Sequence, residues 1–157
     1  MAKYAFSSGN AGSEQNLTTT YKTLADITAA TGATTLRRAW VYDVMFGVDG
    51  TPADNVLVWK IDRQTSTGTR SAVTPPPLDT TDAAALITCG ANTTIEPIVT
   101  AATQLLELPV NQRASYRWVA APGGELVVPA TNVAGLGFRA KSPAYASTAL
   151  CTVQFWE

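Results

Sequence analysis

Apolar and polar residues alternate along much of the chain with a period of two, and the runs are short. In RAWVYDVMFG, Trp40, Tyr42, Val44 and Phe46 fall on every second position with Asp43 between them, which predicts a strand with an aromatic face. The run stops at Gly47, and VDGTPADN supplies the Asp-Gly and Pro of a reversal. NVLVWKIDR follows, apolar on both faces from Val56 to Trp59 and then alternating through Lys60, Ile61 and Asp62. That is the pattern of a strand buried on both sides at one end and half exposed at the other. Residues 93–99 and 104–110 are further short strands. ASYRWVAAPGGELVVPA predicts a hairpin, because Pro122 fixes φ and Gly123-Gly124 tolerate positive φ, so residues 115–121 and 125–128 should pair. GLGFRA and ALCTVQFWE complete the set, with Ala149, Cys151, Val153 and Phe155 on one apolar face of the last. The single helix expected is a turn or two in LDTTDAAAL, capped by Asp79.

About eight short strands at this spacing predict an all-β chain, a jelly roll or β-sandwich of antiparallel strands. No βαβ alternation and no repeat period compete with that reading. Residues 1–20 mix Gly, Ser, Asn and Thr with only Tyr4 and Phe6 as aromatics, and predict an extended N-terminal arm ahead of a domain over residues 21–157. TSTGTRSAVTPPPLD, residues 65–79, raises its own question, since a stiff, polar segment follows one of the most apolar strands. Pro75, Pro76 and Pro77 have little freedom to lose on docking, so the segment is either a clamp on a neighbouring subunit or a crossover loop within one subunit.

Composition changes this picture in one respect. Of 157 residues, 46% are hydrophobic and only 15% charged, against roughly 25% in ordinary soluble domains. A surface so poorly solvated is expected to be covered by other subunits. The formal net charge is −1 and no basic run occurs, which argues against nucleic acid as a partner. No apolar run reaches the roughly 18 residues of a membrane helix, and MAKYAFSSGN lacks the apolar segment of a secretory signal, so cytosolic synthesis without membrane contact is expected. In that reducing context Cys89 and Cys151 are expected to be buried thiols.

The chain contains no His, which removes the commonest general base and metal ligand, and no enzymatic activity, metal or cofactor is expected. Asp49 and Asp54 suit a turn, and VDGTPADN lacks the ligand spacing of an EF-hand. Trp59, Trp118, Trp156 and Tyr116 are expected in the core or at a subunit contact rather than stacked on sugars or bases. Arg113 and Arg117 flank Tyr116, which suits a salt bridge or an inter-subunit contact.

The order RQTSTGTRSAVTPPPLD, then NTTIEP, then NQRASYRWVAAPGGELVVPATNVAGLGFRA, resembles small jelly-roll proteins in the structural gene sets of tailed bacteriophages. The resemblance covers residues from about Tyr21 to the end and rests on turns and strands, with no reactive residue in it. It implies a head decoration, or cement, protein, made in the host cytoplasm, that sits as a homotrimer on the outside of the capsid against the major capsid protein. It also implies aromatic strand faces packed around a threefold axis. On this reading Lys3, Tyr4 and Phe6 would order on the shell, Pro75 to Pro77 would clamp, and Arg113, Tyr116, Arg117 and Trp118 would meet a neighbouring subunit. The competing expectation is a trimeric receptor- or glycan-binding head of a phage fibre or tail appendage.

Overall fold

The computed structural model describes residues 1–12, 14–29, 36–142 and 148–157. Strands form wherever alternation and β-branched or aromatic residues coincide. They are β1 (Lys3–Ser7), β2 (Gln15–Asn16), β3 (Lys22–Thr28), β4 (Ala39–Asp49), β5 (Val56–Gln64), β6 (Thr69–Val73), β7 (Thr88–Ile95), β8 (Val99–Asn111), β9 (Tyr116–Val119), β10 (Leu126–Val128), β11 (Gly135–Lys141) and β12 (Thr148–Trp156). A single 3-10 turn, Ser8–Ala11, follows β1.

Two six-stranded antiparallel sheets face each other, so the all-β sandwich expected from the alternation holds. The first has the order β1-β12-β4-β10, with β2 also on β12 and β9 also on β4; the second has the order β6-β7-β3-β11-β5-β8. The early strands pair with the late ones in nested fashion. β1 pairs with β12, β3 with β11, β4 with β9 and β10, and β5 with β8. Between the sheets lies a core in which Phe46 of β4 meets Trp59 of β5 at 4.5 Å between ring centroids. The predicted apolar face of β12 is there too, since Ala149, Cys151, Val153 and Phe155 are all buried.

Four expectations are corrected. The N-terminal segment does not extend as an arm, because Lys3–Ser7 is an edge strand of the first sheet, in register with residues 152–156. Tyr4 and Phe6 point inward, each 2% exposed, and both pack on Phe155. Five residues are too short a run to show a period, yet Tyr4, Phe6 and buried Ser8 already alternate. Next, β9 and β10 do not pair with each other. Both lie along one edge of β4, β9 on residues 43–46 and β10 on residues 39–41, and the Pro-Gly-Gly turn is a short excursion between them. Gly124 N donates to Ala121 O at 2.8 Å across that turn, with Gly123 at φ 78.

The third correction concerns the aromatic face of β4. Gln154 pairs with Asp43 and Phe155 with Val41, so a bulge at Tyr42 shifts the register and flips the alternation. Trp40 and Tyr42 therefore lie half-buried on the outer face, while Val44 and Phe46 are buried in the core. Finally, Asp79 caps a turn rather than a helix: its Oδ1 accepts from Thr81 N at 2.9 Å, and Asp82 N donates to Asp79 O at 3.0 Å, but no helix follows.

Candidate interaction surface

The outer faces of the two sheets differ in chemistry. On the second sheet, charged side chains pair with one another, while Gln64 Oε1 and Arg139 Nε are buried without a hydrogen-bond partner among the described residues. Arg70 of β6 pairs with Asp26 of β3, whose other oxygen accepts from Gln64 Nε2 at 2.7 Å. Lys60 Nζ lies 3.4 Å and Arg139 NH1 3.3 Å from the carboxylate of Asp62, and Arg139 and Lys22 both reach Glu96 at 3.7 Å. Glu96 also accepts from Thr23 N at 3.0 Å and Thr23 Oγ1 at 2.6 Å. Tyr21 lies among the cations, with Lys141 Nζ 4.6 Å from its ring centroid, and donates to Glu107 at 2.7 Å.

The outer face of the first sheet carries a row of aromatic and apolar side chains bordered by polar ones. Trp156 of β12 stands directly opposite Trp40 of β4, and their rings stack at 3.9 Å with an interplanar angle of 13°. Cross-strand neighbours extend the row, with Lys3 of β1 beyond Trp156 and Val127 of β10 beyond Trp40. The adjoining rows contain Tyr42, whose hydroxyl donates to Gln154 Oε1 at 3.1 Å, exposed Met45, and Val119, which is 56% exposed. Lys3 Nζ sits 5.7 Å from the centre of the Tyr42 ring. Burial, followed by the charge of Asp43, raises the Tyr42 hydroxyl above its ordinary pKa of 10, so it stays a donor through the neutral range. Among the described residues, one ion pair lies on this face, joining Arg117 Nε to Asp43 Oδ1 at 3.0 Å and Oδ2 at 3.1 Å.

Of the residues singled out from the sequence, Lys3 and Arg117 lie on this face, at opposite sides of it. Trp118 packs half-buried against the core, opposite Val44, and Tyr116 sits at the margin, 37% exposed, opposite Phe46. Arg113 lies apart, in the turn before β9, 3.5 Å from Asp54. Tyr4 and Phe6 are core side chains and carry no outer contact.

The proline segment runs along β1 of its own chain. Ala5 N donates to Pro76 O at 3.2 Å, Leu78 N to Lys3 O at 2.7 Å, and Pro77 bridges to Tyr4. Pro75 is buried, Pro77 half-buried and Pro76 exposed, so the segment crosses over along β1 of its own chain.

The sequence places Trp156 in the core or at a subunit contact without separating the two, and sets Trp40 and Tyr42 on one face with Val44 and Phe46, while Met45, Val119 and Val127 carry no outward signal of their own. The signal was present in β12, where Trp156, Gln154 and Thr152 are out of phase with the core set.

Cys89 and Cys151 are free and buried, as expected, and burial lifts both thiols well above their ordinary pKa. In the turn VDGTPADN, Asp49 Oδ1 takes the Gly50 amide at 2.6 Å and Asp54 faces Arg113. Among the described residues no group of three or more His, Cys, Asp or Glu is placed to hold a metal ion, and no helix is long and apolar enough to cross a membrane. Comparison with protein-family models, with curated proteins and with solved structures returns no match to this chain.

Proposed function

We propose that this protein is a jelly-roll decoration, or cement, protein without enzymatic activity. It docks as a homotrimer on the outer surface of a bacteriophage head, against the major capsid protein, and stabilises the mature shell. The observation that carries the reading is the contrast between the outer faces: charges satisfied internally on the second sheet, and Trp40, Trp156, Tyr42, Met45, Val119 and Val127 on the first. An aromatic, charge-poor centre is the composition of a protein contact, and here it is the surface between subunits. The nested pairing of β1 with β12, β3 with β11, β4 with β9 and β10, and β5 with β8 supports the jelly roll, because a chain wrapped from its middle outward pairs first with last.

Binding to the mature shell and not to its precursor lowers the free energy of the mature state by the binding free energy of each copy. A trimer adds avidity, since three weak contacts act together. Quantitative mass spectrometry of purified particles of the source virus tests this, and a copy number approaching that of the major capsid protein is the expected result. A few copies per particle would transfer the chain to a fibre or tail appendage, and its absence from particles would overturn both.

The stacked Trp40 and Trp156 beside Tyr42 favour a second reading, a glycan-binding head in which a sugar ring lies on the aromatic row. A glycan array on the purified protein separates the two, since decoration requires no glycan binding.

A further inference from the structure

A second surface feature stands apart from the aromatic face. β9 stops pairing with β4 at Tyr116 and Phe46, and residues 111–115 turn away, held by Ala114 N donating to Asn111 O at 2.9 Å. The divergence opens a cleft of about 200 Å³ lined by Gly47, Val48, Pro52, Gln112, Arg113, Ala114 and Ser115. Gln112 is 2% exposed and tightly oriented: its backbone N donates to Asn55 O at 2.9 Å, and its Oε1 accepts from Ala53 N at 3.0 Å. That acceptor bond fixes which way the amide points, and Nε2 is left buried with no partner. A buried donor without an acceptor is rare in native proteins.

Two other side chains of the cleft can donate as well, Arg113 and Ser115. Ser115 Oγ has no partner among the described residues. Among the described residues the Arg113 guanidinium is held by Asp54 alone, at 3.5 Å, both side chains mostly exposed, and such pairs exchange partners at little cost. No carboxylate lines the cleft, and Val48, Pro52 and Ala114 give it apolar walls.

We infer that this cleft binds a carboxylate borne by a protein chain, an Asp or Glu side chain or a chain end, with Gln112 Nε2, the Arg113 guanidinium and the Ser115 hydroxyl as donors. A guanidinium and an adjacent amide match the two oxygens of a carboxylate. The volume is below the roughly 300 Å³ at which small-molecule sites begin, which favours one side-chain-sized group over a sugar or nucleotide. The inference is independent of the aromatic face and of the capsid reading.

The test is an NMR titration of the full chain with N-acetylglycine, which carries a chain-end carboxylate, with N-acetylaspartate methylamide, which carries a side-chain carboxylate, and with neutral N-acetylglycinamide. Saturable shifts of the Gln112 side-chain amide with either acid, and none with the neutral compound, are expected. The tighter acid identifies the source. Arg113→Gln should weaken binding about tenfold and Ser115→Ala by less, since a charge-assisted bond contributes more than a neutral one. Both variants sit in an exposed turn and should leave the remaining spectrum unchanged. Equal shifts with the neutral compound, no saturable shift at all, or binding indifferent to both substitutions would mean an ordered water on Gln112 only, and would overturn the proposal.

Discussion

Arg70 reaches its carboxylate partner because Gly90, on the strand between them, has no side chain: a Cβ there would overlap the Arg70 Cδ. The pair it makes with Asp26 is nearly dry, at 11% and 1% side-chain exposure, and Arg70 also donates to Thr28 and Thr88 at 3.2 and 3.3 Å. Removing one partner from such a pair strands the other, so Arg70→Ala should cost about 3–5 kcal/mol at neutral pH. The cost should depend on pH in a definite direction. Burial already holds Asp26 above the 3.8 of a free carboxyl, while Arg70 and then Gln64 pull it down. Without Arg70 the pKa rises further, the folded state holds its proton more tightly than the unfolded one, and stability falls as pH climbs from about 4. Urea unfolding of wild type and Arg70→Ala at pH 4 and pH 7 should therefore show the larger deficit at pH 7. Equal deficits would show that Asp26 is not a stranded charge. None of this was legible beforehand, because the partners lie 44 positions apart and an Arg inside a Thr-rich segment reads as solvated.

At the scale of elements, β1 shows most plainly where sequence patterning stops. Long strands with clean alternation were legible: β12, β5 and most of β4 lie where periodicity put them, and the turn after Gly47 follows its Asp-Gly and Pro. A five-residue strand and a bulge are different matters. Alternation over five positions carries little information, and a bulge inverts the phase of everything beyond it, as at Tyr42. The separate partnership of β9 and β10 was hidden for another reason, since turn chemistry fixes a reversal but not which strand receives the returning chain. Insertion of β1 has a measurable consequence. Phe6→Ala should cost about 3–5 kcal/mol and lower the calorimetric midpoint by roughly 10 °C, whereas Lys3→Ala on the outer face should stay within about 0.5 kcal/mol. Similar effects from both would mean that the strand is not seated.

The prolines complete the element beyond β1. With Tyr4 and Pro77 opposite each other, and Ala5 N and Leu78 N making the flanking bonds, the nitrogen of Pro77 faces away from β1. A further strand approaching that edge finds no donor there, which is how sheets avoid open-ended pairing. The stiff segment after β5 and β6 thus ends the first sheet.

For the whole molecule, the low charge content was legible and its distribution was not. Ion pairs such as Asp62 with Arg139, 77 positions apart, gather charge on the second sheet, while the first carries Lys3 and the Arg117–Asp43 pair around its aromatic row, and only the pairing of strands reveals which face is which. If the aromatic face joins copies of this chain, the folded state is linked to association, and the unfolding midpoint must rise with protein concentration. Trp156→Arg places a charge in the middle of the aromatic row, where burial against a neighbour would leave it unpaired. Its side chain lies outside the core, so the isolated fold should survive. Sedimentation velocity should then report trimers for wild type and monomers for the variant, with the concentration dependence of the midpoint lost in the variant. A variant that still sediments as a trimer would move the subunit contact away from the first sheet, and a monomeric wild type would leave that face to the shell alone. In the latter case the same substitution should release the protein from particles while leaving its own unfolding unchanged.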